Sequence, residues 1–133
     1  MKQINFHPST PILRVGNLNA SLDYYVQNLG FSIDWRHDSG FASVSRQAAN
    51  LMLSENDQGR FGSWVYIGVG DVKFLYTEFS ERKALVKLPP SNYPWAMEIH
   101  VADIDGNVIR FGSEPDPESE FSDWVDWYSE DMG

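Results

Sequence analysis

Apolar positions recur along this chain with two periods. Leu18, Leu22, Tyr25 and Leu29 fall four, three and four residues apart, the stripe of one helix face. Val72, Tyr76 and Phe79 repeat that stripe further on. Just before the stripes stand Asn17 and Asp71, whose side-chain oxygens can accept from an orphan backbone N–H at a helix start. Gly30 comes after the first stripe and tolerates the positive φ of a helix stop. A short strand precedes each cap. After the helices the period changes to two, over about 31–37, 41–46 and 50–54, and again over about 84–88, 96–102 and 107–112. Asp105, Gly106 and Asn107 mark a turn between the last two, while Pro89, Pro90 and Pro94 mark a loop before residue 96.

The two halves are copies of one plan. Residues 10–25 and 64–79 align at an offset of 54, pairing Val15 with Val69, Gly16 with Gly70, Asn17 with Asp71, Leu18 with Val72 and Tyr25 with Phe79. The expectation is an α+β domain over residues 1–112, built from two βαβββ modules at about 8–55 and 62–112. Pro115 and Pro117 then break the chain before a tail, 113–133. In that tail Phe121, Trp124, Val125 and Tyr128 fall at i, i+3, i+4 and i+7, which predicts a short amphipathic helix. Its apolar stripe needs cover from the body of the domain, a second subunit or a ligand.

Composition narrows the chemistry. With 42% apolar and 14% aromatic residues the 133-residue chain can bury a core unaided. It has no cysteine, which removes disulfides, thiolate metal ligands and a cysteine nucleophile. Histidines occur only at His7, His37 and His100. Of 19 acidic residues, eight lie in the tail, where there is no base, so the rest of the chain is nearly neutral. No basic stripe tracks a phosphate backbone, which disfavours nucleic acid. The acidic tail admits a cationic partner or serves solubility. The longest apolar run, 64–70, is far short of the ~20 residues of a membrane span. The first ten residues carry one lysine and no apolar leader, so a soluble cytoplasmic protein is expected.

Candidate chemistry comes from strand alternation. Along 96–102, Met97, Ile99 and Val101 should face the helices, leaving Ala96, Glu98, His100 and Ala102 on the other side. A carboxylate and an imidazole sharing one strand face can act as acid and base, ligate a metal, bond a polar ligand, or satisfy each other. Along 64–69, Val65, Ile67 and Val69 should meet the helices, which puts Trp64 and Tyr66 beside Glu98 and His100. Phe41, Ser43 and Ser45 alternate with Ala42 and Val44, and Trp95 stands at the mouth of its strand. These aromatics form either a stacking wall for a planar ligand or core. Trp35, in alternation with Phe31 and Ile33, is expected in the core. There is no glycine-rich phosphate loop, no serine elbow, no HExxH and no dinucleotide fingerprint.

The paired modules resemble the vicinal oxygen chelate superfamily, the glyoxalase, bleomycin-resistance and extradiol-dioxygenase fold, over roughly residues 8–112. Its most specific parts are Ile12-Leu-Arg-Val-Gly-Asn-Leu-Asn-Ala-Ser-Leu-Asp-Tyr-Tyr-Val-Gln-Asn-Leu-Gly-Phe31 and Pro94-Trp-Ala-Met-Glu-Ile-His-Val-Ala-Asp-Ile-Asp-Gly-Asn-Val-Ile-Arg-Phe111. The second is similar to the bleomycin-resistance branch, with Ile104 in place of a proline and Ala96 in place of a glycine. In metal enzymes of the superfamily, ligands come from positions matching Thr10, Met52, Trp64 and Arg110, none of which is a histidine or carboxylate here. The resemblance therefore implies a metal-free, cofactor-free binder: a homodimer sequestering an aromatic, cationic molecule such as a bleomycin-type antibiotic between subunits. Trp95 stands at that branch's Pro-Trp position, Phe41 at the phenylalanine opening its third strand, and Trp64 at a tryptophan in its fifth. The candidate ligand-binding set is Phe41, Ser43, Trp64, Tyr66, Trp95, Glu98, His100 and Arg110, with Glu98 and the tail supplying negative charge. Two alternatives stand beside it. One is a lyase or isomerase of the superfamily working through Glu98 and His100. The other is a protein-interaction module acting through the acidic tail.

Overall fold

Both expected caps form. In the structure, a computed structural model that describes residues 2–124, Ala20 N–H donates to Asn17 Oδ1 (2.9 Å) and Phe74 N–H to Asp71 Oδ1 (3.0 Å). These open helices α1 (Leu18–Gln27) and α2 (Val72–Glu81). Gly30, at φ +73°, lets the chain reverse so that Phe31 N–H returns to Tyr25 O at 2.9 Å. The strands are β1 (Ile12–Arg14), β2 (Ser32–His37), β3 (Phe41–Arg46) and β4 (Ala49–Ser54) in the first module. The second has β5 (Trp64–Gly68), β6 (Leu85–Asn92), β7 (Met97–Ala102) and β8 (Val108–Ser113).

The repeat in the sequence is a repeat in topology. The sheets run β1-β4-β3-β2 and β5-β8-β7-β6, each with its first strand parallel to its last. Each helix lies on one face of its own sheet. Ala42, Val44, Leu51 and Leu53 line that face in the first module, Ile99, Val101, Ile109 and Phe111 in the second, all buried in one continuous core with α1 and α2. Leu75 joins Val72 and Phe79 on the buried stripe of α2. Long-range polar contacts tie the modules together. Tyr24 Oη donates to Ala102 O (2.6 Å), Tyr25 Oη to Asp103 Oδ2 (2.8 Å), and Arg46 forms a two-point ion pair with Glu78 (2.8 Å). The opposite face of each sheet carries no helix among the described residues.

Three expectations need correcting. Strand β6 continues through Pro89 and Pro90 to Asn92, where the prolines predict a loop. It is an edge strand with register shifts between Leu88 and Ser91, so prolines there remove no ladder bond the sheet needs. Trp35 is not core: it is 42% exposed. A register shift between Ile33 and Trp35 breaks the alternation on which its burial rests and turns Trp35 to the open face, edge-on to Phe41 at 5.5 Å. Residues 121–124 form no helix. Asn92 holds this segment instead against the end of β6: Ser122 N–H donates to Asn92 O (2.6 Å), and Glu120 O accepts from Asn92 Nδ2 (3.4 Å). Val125 and Tyr128, the rest of that predicted stripe, lie outside the described residues.

Candidate functional site

The candidate residues separate into two clusters. Trp64 and Tyr66 on β5, Glu98 and His100 on β7, Arg110 on β8 and Trp95 just before β7 meet on the open face of the second sheet. Phe41 and Ser43 lie on the open face of the first sheet, with neighbours of their own. There Phe41 stacks on His37 at 5.2 Å, and Asp34 accepts from Ser43 Oγ (2.9 Å), Ser45 Oγ (2.6 Å) and Asn50 Nδ2 (3.4 Å). The sequence gives no sign that Asp34 and Trp35 belong to this cluster, because the bulge that turns them to this face leaves no mark in the alternation.

The second face is built around one carboxylate. Alternation on β7 sends Glu98 and His100 away from the helices, and the β7–β8 register sets His100 opposite Arg110. Arg110 reaches diagonally to Glu98, with Nε donating to Oε1 and Nη2 to Oε2, both at 2.8 Å. Trp95 Nε1–H donates to Oε2 at 2.5 Å, and His100 Nε2 meets Oε1 at 3.1 Å. A carboxylate has roughly four lone-pair sites, and four donors occupy them here. Both Glu98 and His100 are fully buried. Burial would raise the Glu98 carboxyl, but hydrogen bonds from Arg110, Trp95 and His100 and the Arg110 charge outweigh it and hold the group below its ordinary value. Burial holds His100 below its ordinary value despite the adjacent carboxylate, so the imidazole is neutral at pH 7 and donates from Nε2.

That arrangement commits Glu98 to hydrogen bonds within the chain. With its lone pairs filled, it has no site left to take a proton from a substrate. Arg110, bound to it at two points, balances its charge. The four positions matched to metal ligands carry a hydroxyl already donated to Asn50 (Thr10, 2.8 Å), a thioether, an indole and a guanidinium. That donor set does not fit a metal ion of the superfamily's kind. Among the described residues no three His, Asp or Glu side chains converge elsewhere.

Rings wall the polar floor. Trp95 stacks on buried Tyr93 with centroids 4.9 Å apart and planes at 6°, and remains 54% exposed. Trp64 stands edge-on to His100 at 5.7 Å. The Arg110 guanidinium lies 5.7 Å from the Tyr66 ring and 5.3 Å from that of Trp124. Tyr66 can lie this close to the sheet because Gly112 on β8 has no side chain: a Cβ there would collide with the Tyr66 hydroxyl. A groove of about 760 Å³ continues from Tyr66 and Trp95 along the edge of β5 to Phe74 and Glu78. The tail contributes Trp124, and Asn92 and Tyr93 support it. The need to cover the tail's apolar stripe points towards the body of the domain, but the partners are set by long-range contacts.

The sequence profile of the Glyoxalase/Bleomycin resistance protein/Dioxygenase superfamily matches residues 6–111. Solved structures share the architecture. A bleomycin-binding protein from Streptomyces verticillus, crystallised with copper(II)-bleomycin, is 24% identical, with a TM-score of 0.71 over 86% of this chain and 100% of that one. An antibiotic-binding protein from Streptomyces sp. CB03234 is 23% identical, with a TM-score of 0.72 over 86% and 100%. A glyoxalase/bleomycin resistance protein/dioxygenase from Nocardioides is 19% identical, with a TM-score of 0.65 over 93% of each chain. Likeness at these identities is one of fold. No curated protein matches the chain.

Proposed function

Because the chain belongs to the Glyoxalase/Bleomycin resistance protein/Dioxygenase superfamily, we propose that it is a metal-free binding protein that sequesters a flat, cationic aromatic molecule of the bleomycin type. The observation that carries this reading is the open face of the second sheet: Trp64, Tyr66 and Trp95 around a Glu98 carboxylate that already accepts from Arg110, Trp95 and His100. Such a floor is flat and neutral, and stacking rather than proton transfer is what it offers. The half-exposed Trp95 ring is the wall a planar heterocycle would stack on. The positive end of the ligand meets the acids beyond β8, namely Glu114, Asp116, Glu118, Glu120 and Asp123, since Glu98 is committed to Arg110. Two solved proteins of this fold bind bleomycin or an antibiotic, which supports small-molecule binding as the activity.

Phe41 and Ser43 enter this reading through a second copy of the chain. A homodimer that sets the first sheet's open face against the second sheet's of its partner would close a cleft with Phe41 on one wall and Trp95 on the other. No helix among the described residues is long and apolar enough to cross a membrane, and we place the capture of such a drug in the cytoplasm. The test is a tryptophan fluorescence titration of EDTA-treated protein with metal-free bleomycin, run beside sedimentation equilibrium. Saturable quenching at micromolar concentration by a dimer is the expected result. A flat titration removes bleomycin as the ligand, and a monomer at that concentration removes the intersubunit cleft.

A further inference from the structure

The open face of the second sheet already holds a ring, and it comes from the chain itself. After β8 the chain turns at Asp116, whose side chain accepts from Glu118 N–H (3.0 Å) and Ser119 Oγ (2.7 Å). Asn92, at the end of β6, clasps residues 116–122. Its amide donates to Asp116 O (2.8 Å) and accepts from Asp116 N–H (2.9 Å), while its backbone exchanges hydrogen bonds with Ser122 at 2.6 and 3.1 Å. The clasp delivers Trp124 to the face. Its ring lies 5.3 Å from the Arg110 guanidinium, 5.7 Å from Trp95, 5.4 Å from Tyr93 and 6.3 Å from His100.

We propose that Trp124 is an intramolecular occupant of the ring-binding bay, a stand-in for the ligand, and that the bay takes a flat bicyclic heteroaromatic ring of indole size. This rests on the reading of that face as the ligand site. Three features carry it. The ring sits over Arg110 beside Trp95, on the face whose Trp95 ring a planar ligand would stack on. The segment's polar bonds go to Asn92, while Trp124 itself meets the bay by ring and cation contacts, which any ring of that shape replaces. The indole is half exposed and lies outside the buried core, so it can leave without unfolding that core. A ligand therefore competes with Trp124, and its apparent affinity is lowered by the fraction of molecules in which the bay is filled.

Trp124→Ala in the full chain tests this with two probes, free indole and metal-free bleomycin. The Trp95 indole N–H resonance reports the bay. Millimolar indole is expected to shift it in the variant and clearly less in the wild type; the same response in both chains, or in neither, overturns the proposal. Bleomycin is expected to bind the variant about tenfold tighter if Trp124 fills the bay nine-tenths of the time. Weaker binding to the variant also overturns it, because Trp124 would then be a wall of the site. Indole binding confined to the variant, with no bleomycin binding to either chain, upholds the occupant and removes only the drug assignment.

Discussion

Replacing Arg110 by leucine destabilises the domain by about 3 kcal/mol at pH 7, the low end of the range for breaking a buried ion pair. The low end applies because the Arg110 side chain keeps 28% of its surface in water while Glu98 has none. Removal of the guanidinium leaves a buried carboxylate with only Trp95 and His100 as donors. The double variant Glu98→Leu, Arg110→Leu recovers most of the loss, since no charge is then stranded. The pH dependence carries a second signature. In the wild type the depressed Glu98 value means that its stabilisation is present above the ordinary 4.5 and is lost as pH falls through the lower folded value. Without Arg110, burial dominates and the folded value rises above the unfolded one, so protonation relieves the variant. The gap between the two chains therefore narrows from pH 7 to pH 4 in urea denaturation. A gap that stays constant would mean that Glu98 is not the stranded charge.

Trp95→Ala weakens binding of metal-free bleomycin by about 1–3 kcal/mol, roughly five- to 150-fold, the usual loss when a stacking ring is removed. Trp95 has two jobs, a ring face for the ligand and an N–H for Glu98, and Trp95→Phe separates them. Phenylalanine keeps a ring stacked on Tyr93 but leaves Glu98 one donor short. It should retain most of the affinity while losing some thermal stability. Alanine and phenylalanine variants that bind equally well, both folded, would take Trp95 out of the binding surface.

The plan of the molecule is legible in its residues. Two stripes, two polar caps and the offset between them specify two modules with the same strand order, because each signal is local to a dozen residues. The features that escape such reading are those set by distant parts of the chain. Pro89 and Pro90 look like a loop until β6 is known to be an edge strand, where their missing N–H groups cost nothing. Trp35 fits a buried alternation until one bulge reverses it. At Phe121–Trp124 the tail's helical spacing yields to a clasp by Asn92, 30 residues before Ser122, whose backbone bonds to Ser122 no local pattern announces. Within the candidate site, Glu98, His100 and Arg110 are each identifiable from alternation and resemblance. Their closure into one saturated network is not, because it depends on the hairpin register across Asp105, Gly106 and Asn107. That closure ties the suspected acid–base pair to Arg110 and Trp95.

The most direct measurement is a two-dimensional NMR titration of the wild-type chain with metal-free bleomycin, tracking the indole N–H resonances. The ligand is expected to shift Trp95, Trp64 and Trp124 saturably and together, with Trp35 joining them if a partner's first sheet closes the cleft. Saturable binding that moves Trp35 alone, or none of these indoles, would contradict a ligand site on the open face of the second sheet.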